Sequence, residues 1–242
     1  MQQQVKDYFS EGRMLLVDKP LNWTSHDVVA KIRNAIRIQK VGHAGTLDPL
    51  ATGMLIICTG KFTKKINEYM AREKEYTGTI TLGAVTPTYD LESDPENFMD
   101  ASYVTEDLIN EKTSLFVGEI QQVPPAFSAI KQKGKPVYLL ARKGKEVVLE
   151  PRSILISLFE ITSAEGLGTQ NPVLHFKVVC STGTYIRSLA HDFGKALGCG
   201  AYLSSLCRTR IGEFELSQAK NLDAIIEWIR VMKESEGVVD TN

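Results

Sequence analysis

The sequence predicts a mixed α+β domain whose central sheet is mixed and largely antiparallel, flanked by helices and loops. Three observations lead there. Segments with a hydrophobic period of two interleave with segments of period 3.6, yet without the regular strand–helix–strand alternation of a doubly wound sheet. The 242 residues are 43% hydrophobic and 24% charged, ordinary proportions for a globular chain long enough to bury its own core. No internal repeat or low-complexity linker interrupts them, so 1–242 reads as a single domain with 1–11 and 233–242 as flexible ends.

The elements follow in order. Met14-Leu15-Leu16-Val17-Asp18 is a short apolar run that reads as a strand, stopped by Lys19-Pro20. Thr24 or Ser25 can cap a helix carrying Val28, Val29, Ile32, Ala35 and Ile36 at helical spacing. Residues 41–53 are rich in Gly, Pro, Thr and Asp and read as a loop. Leu55-Ile56-Ile57-Cys58 is a buried strand. Phe62, Ile66, Tyr69 and Met70 mark a short helix, and Tyr76 to Leu82 alternates as a strand. The acidic stretch 86–103, with two prolines, reads as an exposed loop. A helix follows Thr105, and 120–136 mixes prolines with short extended pieces. Val137 to Arg142 reads as a short helix, 146–163 and 173–180 as strands. Thr184 to Leu197 is amphipathic, with Ile186, Leu189, Ala190, Phe193 and Leu197 on one face and Gly198 suited to end it. A strand-like piece within 200–211 and a helix from Leu222 to Met232 complete the chain.

The formal net charge is −1, which excludes a polycation that holds nucleic acid by bulk charge. Charge is nevertheless segregated. Residues 31–75 carry net +5, 76–115 net −7, 116–152 net +4, 176–212 net +4 and 213–242 net −4. Basic blocks that converge would make a footprint for a polyanion; blocks that stay apart are ordinary solvated faces. The four cysteines form no C-x-x-C pair, and Cys58 and Cys180 lie in apolar runs, as buried thiols of a reducing cytoplasm do. The four histidines show no close ligand spacing, so no metal is expected. No run of about 18 apolar residues exists and no secretory signal opens the chain, so no membrane partner is expected either.

The densest candidate site is Gly42-His43-Ala44-Gly45-Thr46-Leu47-Asp48-Pro49-Leu50-Ala51-Thr52-Gly53. Its glycines and proline constrain a loop that presents one carboxylate, Asp48, and one imidazole, His43. A carboxylate held in a fixed direction suits covalent or acid–base chemistry; the plainer alternative is an Asx turn. A carboxylate nucleophile needs a cation to stay ionised away from water, and Arg187, at the start of the amphipathic helix and turned partly off its apolar stripe, is a candidate. A surface arginine is the competing reading, although a helix N-terminus disfavours a cation without an anionic partner. Tyr76 and Tyr185 open a strand and a helix; each is a base-stacking platform or a tyrosine at the rim of the core.

These segments together resemble the bacterial TruB-type tRNA pseudouridine synthases. Five ordered motifs carry the resemblance: Leu16-Val17-Asp18-Lys19-Pro20 with Thr24-Ser25, the Gly42-to-Gly53 loop, Glu75-Tyr76, Val123-Pro124-Pro125 with Ser128-Ala129-Ile130-Lys131, and Gly183-Thr184-Tyr185-Ile186-Arg187. It extends from Gly12 to about residue 230. The resemblance implies the pseudouridine synthase fold and isomerisation of the T-loop uridine 55 of tRNA, with no external cofactor. It implies that Asp48 is the nucleophile, that Tyr76 stacks on the target base and is a candidate proton acceptor, and that Arg187 pairs with Asp48. Tyr185 and Leu206 would line the base pocket, His43 would hold the extruded loop conformation, and Lys19 with Pro20 would be structural near the site. Longer family members carry a C-terminal RNA-binding (PUA) domain, and none is expected here. Recognition is therefore expected to concentrate on the T-arm, by a monomer, in the cytoplasm, without a guide RNA. The three basic blocks would then meet around one pocket. A non-catalytic RNA-binding protein on the same scaffold and a carboxylate glycosidase are the competing classes; the glycosidase lacks a second placed carboxylate in the motif loop.

Overall fold

The computed structural model describes residues 2–128, 131–132, 135–137 and 149–235. The expected helix 137–142 lies outside the described residues beyond Val137, as do Ala129 and Ile130 of the fourth motif and the tail 236–242. In chain order the elements are α1 (Gln2–Glu11), β1 (Met14–Lys19), α2 (Ser25–Ile36), β2 (Val41–His43), β3 (Ala51–Thr59), a 3-10 segment (Gly60–Lys65), α3 (Ile66–Ala71) and β4 (Lys74–Leu82). There follow α4 (Glu106–Ser114), β5 (Gly118–Gln122), β6 (Lys131–Gln132), β7 (Lys135–Pro136), β8 (Arg152–Glu165), β9 (Val173–Cys180), α5 (Ile186–Leu197), β10 (Ala201–Ile211), β11 (Phe214–Glu215), β12 (Lys220–Asn221) and α6 (Leu222–Ser235). The α+β class is as expected. β1 pairs parallel with β12, whereas β1–β3, β2–β3, β5–β8, β8–β9 and β10–β11 are antiparallel.

The chain forms two compact units, Met1–Glu75 with Cys207–Asn242, and Tyr76–Leu206. The chain crosses from one to the other inside β4 and again inside β10.

In the first unit the strands run β12-β1-β3-β10. β3 explains its own continuous apolar run, because both of its faces are covered. Leu55 and Ile57 join Val17 under the helices, against Val5 and Phe9 of α1, Val28, Ile32 and Ile36 of α2, and Ile225 and Ile229 of α6. The alternate residues Met54, Ile56 and Cys58 meet Tyr69 and Ile211 on the other face. The N-terminus corrects the expectation of a flexible end. Residues 2–11 form α1, and Val5 and Phe9 are 1% and 0% exposed. Burying side chains of that size contributes about 1.5–3 kcal/mol each, enough to hold a helix that shows no strong capping signal in sequence. Between the two capping candidates of α2, Thr24 is the cap: its Oγ1 accepts from Asp27 N at 3.0 Å and the Asp27 carboxylate accepts from Thr24 N at 2.9 Å.

The expected 41–53 loop is shorter than its composition suggested. β2 and β3 take both ends, pairing Gly42 with Cys58 and Gly53 with Lys19, and 44–50 remains irregular. Turn-prone residues do not disclose that a partner strand waits beside them.

In the second unit the order is β10-β4-β9-β8-β5. Its core is an edge-to-face cluster of Phe116, Phe159, Phe176 and Phe193, with ring centroids 5.3 Å apart for Phe159–Phe193. At Gly78 of β4 a Cβ would stand 2.2 Å from Ser205 O of β10, so the two strands close there only around a glycine. The acidic 86–103 stretch is irregular but not simply exposed, which corrects a reading based on charge and proline content. Thr86, Thr88, Asp90 and Ala101 are buried, Val85 and Glu96 exchange backbone bonds, and Leu203 N donates to Tyr89 O. Cys58, Cys180 and Cys199 are buried thiols in no disulfide.

Candidate active site

The sequence-derived residues divide between the units: Lys19, His43 and Asp48 in the first, Tyr76, Tyr185, Arg187 and Leu206 in the second.

In the first unit they gather around 44–50. Ser25, spared from capping, closes the loop: Leu47 N donates to Ser25 Oγ at 2.8 Å and Ser25 Oγ donates to Leu47 O at 3.1 Å. Lys19 is 0% exposed, and its ammonium donates to the carbonyls of Pro20 at 2.9 Å, Trp23 at 2.5 Å and Pro49 at 3.3 Å. Asn22 N donates to Pro49 O, and Ala51 N donates to Asp48 O. The residues flanking Asp48 are thus tied to β1, α2 and the turn between them. Burial draws the Lys19 ammonium down to about 8, against the opposing pull of Asp48. His43 is half-buried, with its Nδ1 enclosed and its ring beside the Gly45 backbone. Burial, and then the charge of Arg208, lower its pKa from the ordinary histidine value, so it is neutral at pH 7.

Sequence reasoning missed two residues here. Ser25 was read as a capping candidate. Arg208 was passed over within a strand, where Thr209 and Arg210 follow it and nothing local marks its charge as buried. It is 1% exposed and donates to Met54 O, Gly45 O and Thr46 O.

In the second unit Tyr185 and Arg187 open α5. Gln122 fixes Tyr185 by two bonds, accepting from its N at 2.8 Å and donating to its O at 3.1 Å. Arg187 is 5% exposed, which corrects the expectation that it turns partly off the core. Its guanidinium donates to Thr88 O at 3.3 Å and Phe127 O at 3.0 Å, and its Nε lies 3.6 Å from Asp90 Oδ2. Asp90, 4% exposed, is a further residue that sequence reasoning missed, hidden in the stretch read as an exposed acidic loop. Tyr76 is buried on β4, on the same face as Ile80 and Leu82, and Leu206 is half-buried on β10. Among the described residues no group of three or more His, Cys, Asp or Glu could hold a metal ion, and no helix is long and apolar enough to cross a membrane.

Comparison with known proteins bears on this arrangement. Residues 33–186 match the model of the TruB family pseudouridylate synthase N-terminal domain, and 187–240 match the tRNA pseudouridylate synthase B C-terminal domain. The chain belongs to the TruB family. TruB relatives include the tRNA pseudouridine synthase B of Flavobacterium johnsoniae, 49% identical over 87% of this chain and 93% of that protein. That of Bacteroides fragilis is 48% identical over 91% of this chain and 95% of that protein. Among solved structures, this TruB chain is similar to one in a Cbf5-Nop10-Gar1 complex, at 30% identity and a TM-score of 0.71. It covers 96% of this chain and spans 58% of that one.

Proposed function

We propose that the chain is a tRNA pseudouridine synthase that isomerises the T-loop uridine 55. The observation that carries this reading is the near-full-length similarity to relatives named tRNA pseudouridine synthase B, joined to a caged loop presenting a single aspartate. The reaction breaks the N-glycosidic bond, rotates the uracil and rejoins it to the ribose through carbon, so atoms balance without a co-reactant.

The target base must first leave the folded T-loop, which costs roughly a few kcal/mol. Stacking on Tyr76 offsets part of that cost, and His43, neutral and enclosed at the end of β2, fills space the base vacates. Asp48 is the nucleophile and Arg187 its counter-charge, already held by backbone carbonyls and Asp90. Tyr185 and Leu206 line the pocket and exclude water, which keeps the detached uracil from escaping. Lys19 is a structural cation behind the loop. The substrate is tRNA, recognised at the T-arm without a guide RNA by a monomer, with the three basic blocks supplying phosphate contacts.

Incubation of a tRNA transcript with the protein, followed by chemical mapping of pseudouridine, tests this. Wild-type protein converts position 55, and Asp48→Ala abolishes conversion while retaining tRNA binding. Equal product from both proteins would sink the assignment. An isolated T-arm hairpin converted as well as whole tRNA supports recognition confined to that arm.

A further inference from the structure

The loop that presents Asp48 rests on a charge with no part in the chemistry just described. All three acceptors of the Arg208 guanidinium are neutral carbonyl oxygens: Met54 O at 2.7 Å from Nε, Gly45 O at 3.0 Å from Nη2, and Thr46 O at 3.4 Å from Nη1. Gly45 and Thr46 lie just before Asp48, and Met54 lies just beyond the loop on β3, so one planar fork grips both ends of the segment. Gly45 and Gly53 have φ of +102° and +99°, and a Cβ on Gly53 would stand 2.4 Å from Arg208 O. A guanidinium withdrawn from water is costly to bury unless strongly compensated. Were filling space the only need, an apolar side chain would do it more cheaply.

We propose that Arg208 is a positioning residue for the reaction: its fork fixes the direction of the Asp48 loop. The inference rests on the pseudouridine synthase reading. Around it, Asp48, Asp18 and Asp27 act on the Lys19 ammonium, and His26 acts on His43. The presence of Arg208's charge is registered by both Lys19 and His43, whose protonated forms it disfavours.

The test compares Arg208→Lys, which keeps the charge and loses the fork, with Arg208→Gln, which loses both charge and fork. Each is measured for kcat and KM on a tRNA transcript, with thermal unfolding in parallel. A shift of about 1 Å in a reacting group can cost on the order of 100-fold in rate. That loss in kcat is expected for Arg208→Gln, a smaller one for Arg208→Lys, with KM little changed in both. If kcat of a folded Arg208→Gln matches wild type, or kcat and KM worsen together, the proposal is overturned. Should Arg208→Gln fail to fold, Arg208→Lys decides: a folded variant with depressed kcat supports the positioning role, and one with wild-type kcat refutes it. If the wild-type protein itself forms no pseudouridine, the parent reading fails and this inference falls with it.

Discussion

Two arginines, one in each unit, are buried in similar ways and held for different ends. Arg208 is 1% exposed and Arg187 is 5% exposed, and both donate to backbone carbonyls. Arg187 also has a carboxylate beside it, Asp90 at 3.6 Å. Among the described residues Arg208 forms no ion pair with a carboxylate. The carbonyls on Arg208 belong to a seven-residue loop and the strand after it, whereas those on Arg187 belong to two segments far apart in sequence. A buried cation can thus brace a short loop through neutral oxygens, or gather distant segments around an ion pair. The first use orders backbone; the second holds a charge supported from several sides.

That contrast can be broken or sharpened by experiment. The largest effect is expected from Arg187→Ala. Removing one member of a buried pair strands Asp90 and costs about 3–5 kcal/mol of stability, read as a lowered denaturant midpoint. In protein still folded, turnover falls far more than tRNA affinity. Equal losses in turnover and affinity would mark Arg187 as a phosphate contact instead. Next comes Lys19, whose pKa is drawn from 10.5 down to about 8 by burial. The folded protein then releases this proton before the unfolded chain does. Between pH 8 and 10.5 the unfolded state binds more protons, so the Lys19 contribution makes stability rise with pH across that window. Comparing unfolding midpoints of wild type and Lys19→Met at pH 7.5 and pH 10 checks the sign; an identical pH response in the two proteins would contradict it. The smallest effect belongs to Ser25→Ala. It deletes both bonds to Leu47 and leaves a buried amide without its partner, at about 1–3 kcal/mol. Chemical unfolding measures that loss, and Thr24 should still cap α2.

Much of the fold was legible because its signals are local. Alternation along 76–82, the helical stripe from Ile186 to Leu197 and the cap before Val28 each specify an element from within. What sequence reading missed depends on partners remote in the chain. α1 has no strong cap of its own and is held by the packing of Val5 and Phe9 against residues as distant as Ile229. Asp90 looked like part of a solvated acidic run because its company there is acidic; Arg187, which buries it, lies almost a hundred residues further on. At the site, the motif loop announced itself through Gly, Pro and one Asp. The side chains that hold it did not, since Ser25 resembles a capping residue and Arg208 resembles one more strand cation. Composition reveals a loop's need for support more readily than the source of that support.

The chain's two passages between units carry a consequence for biosynthesis. The unit from Tyr76 to Leu206 is contiguous, whereas the other is assembled from segments on either side of it. A ribosome therefore delivers the whole inserted unit before it delivers residue 208. The Asp48 loop emerges early, with Ser25 and Lys19 already made, but stays without its third brace while more than a hundred further residues are translated. The order of synthesis leaves the Asp48 loop without its Arg208 contacts until residue 208 has been made.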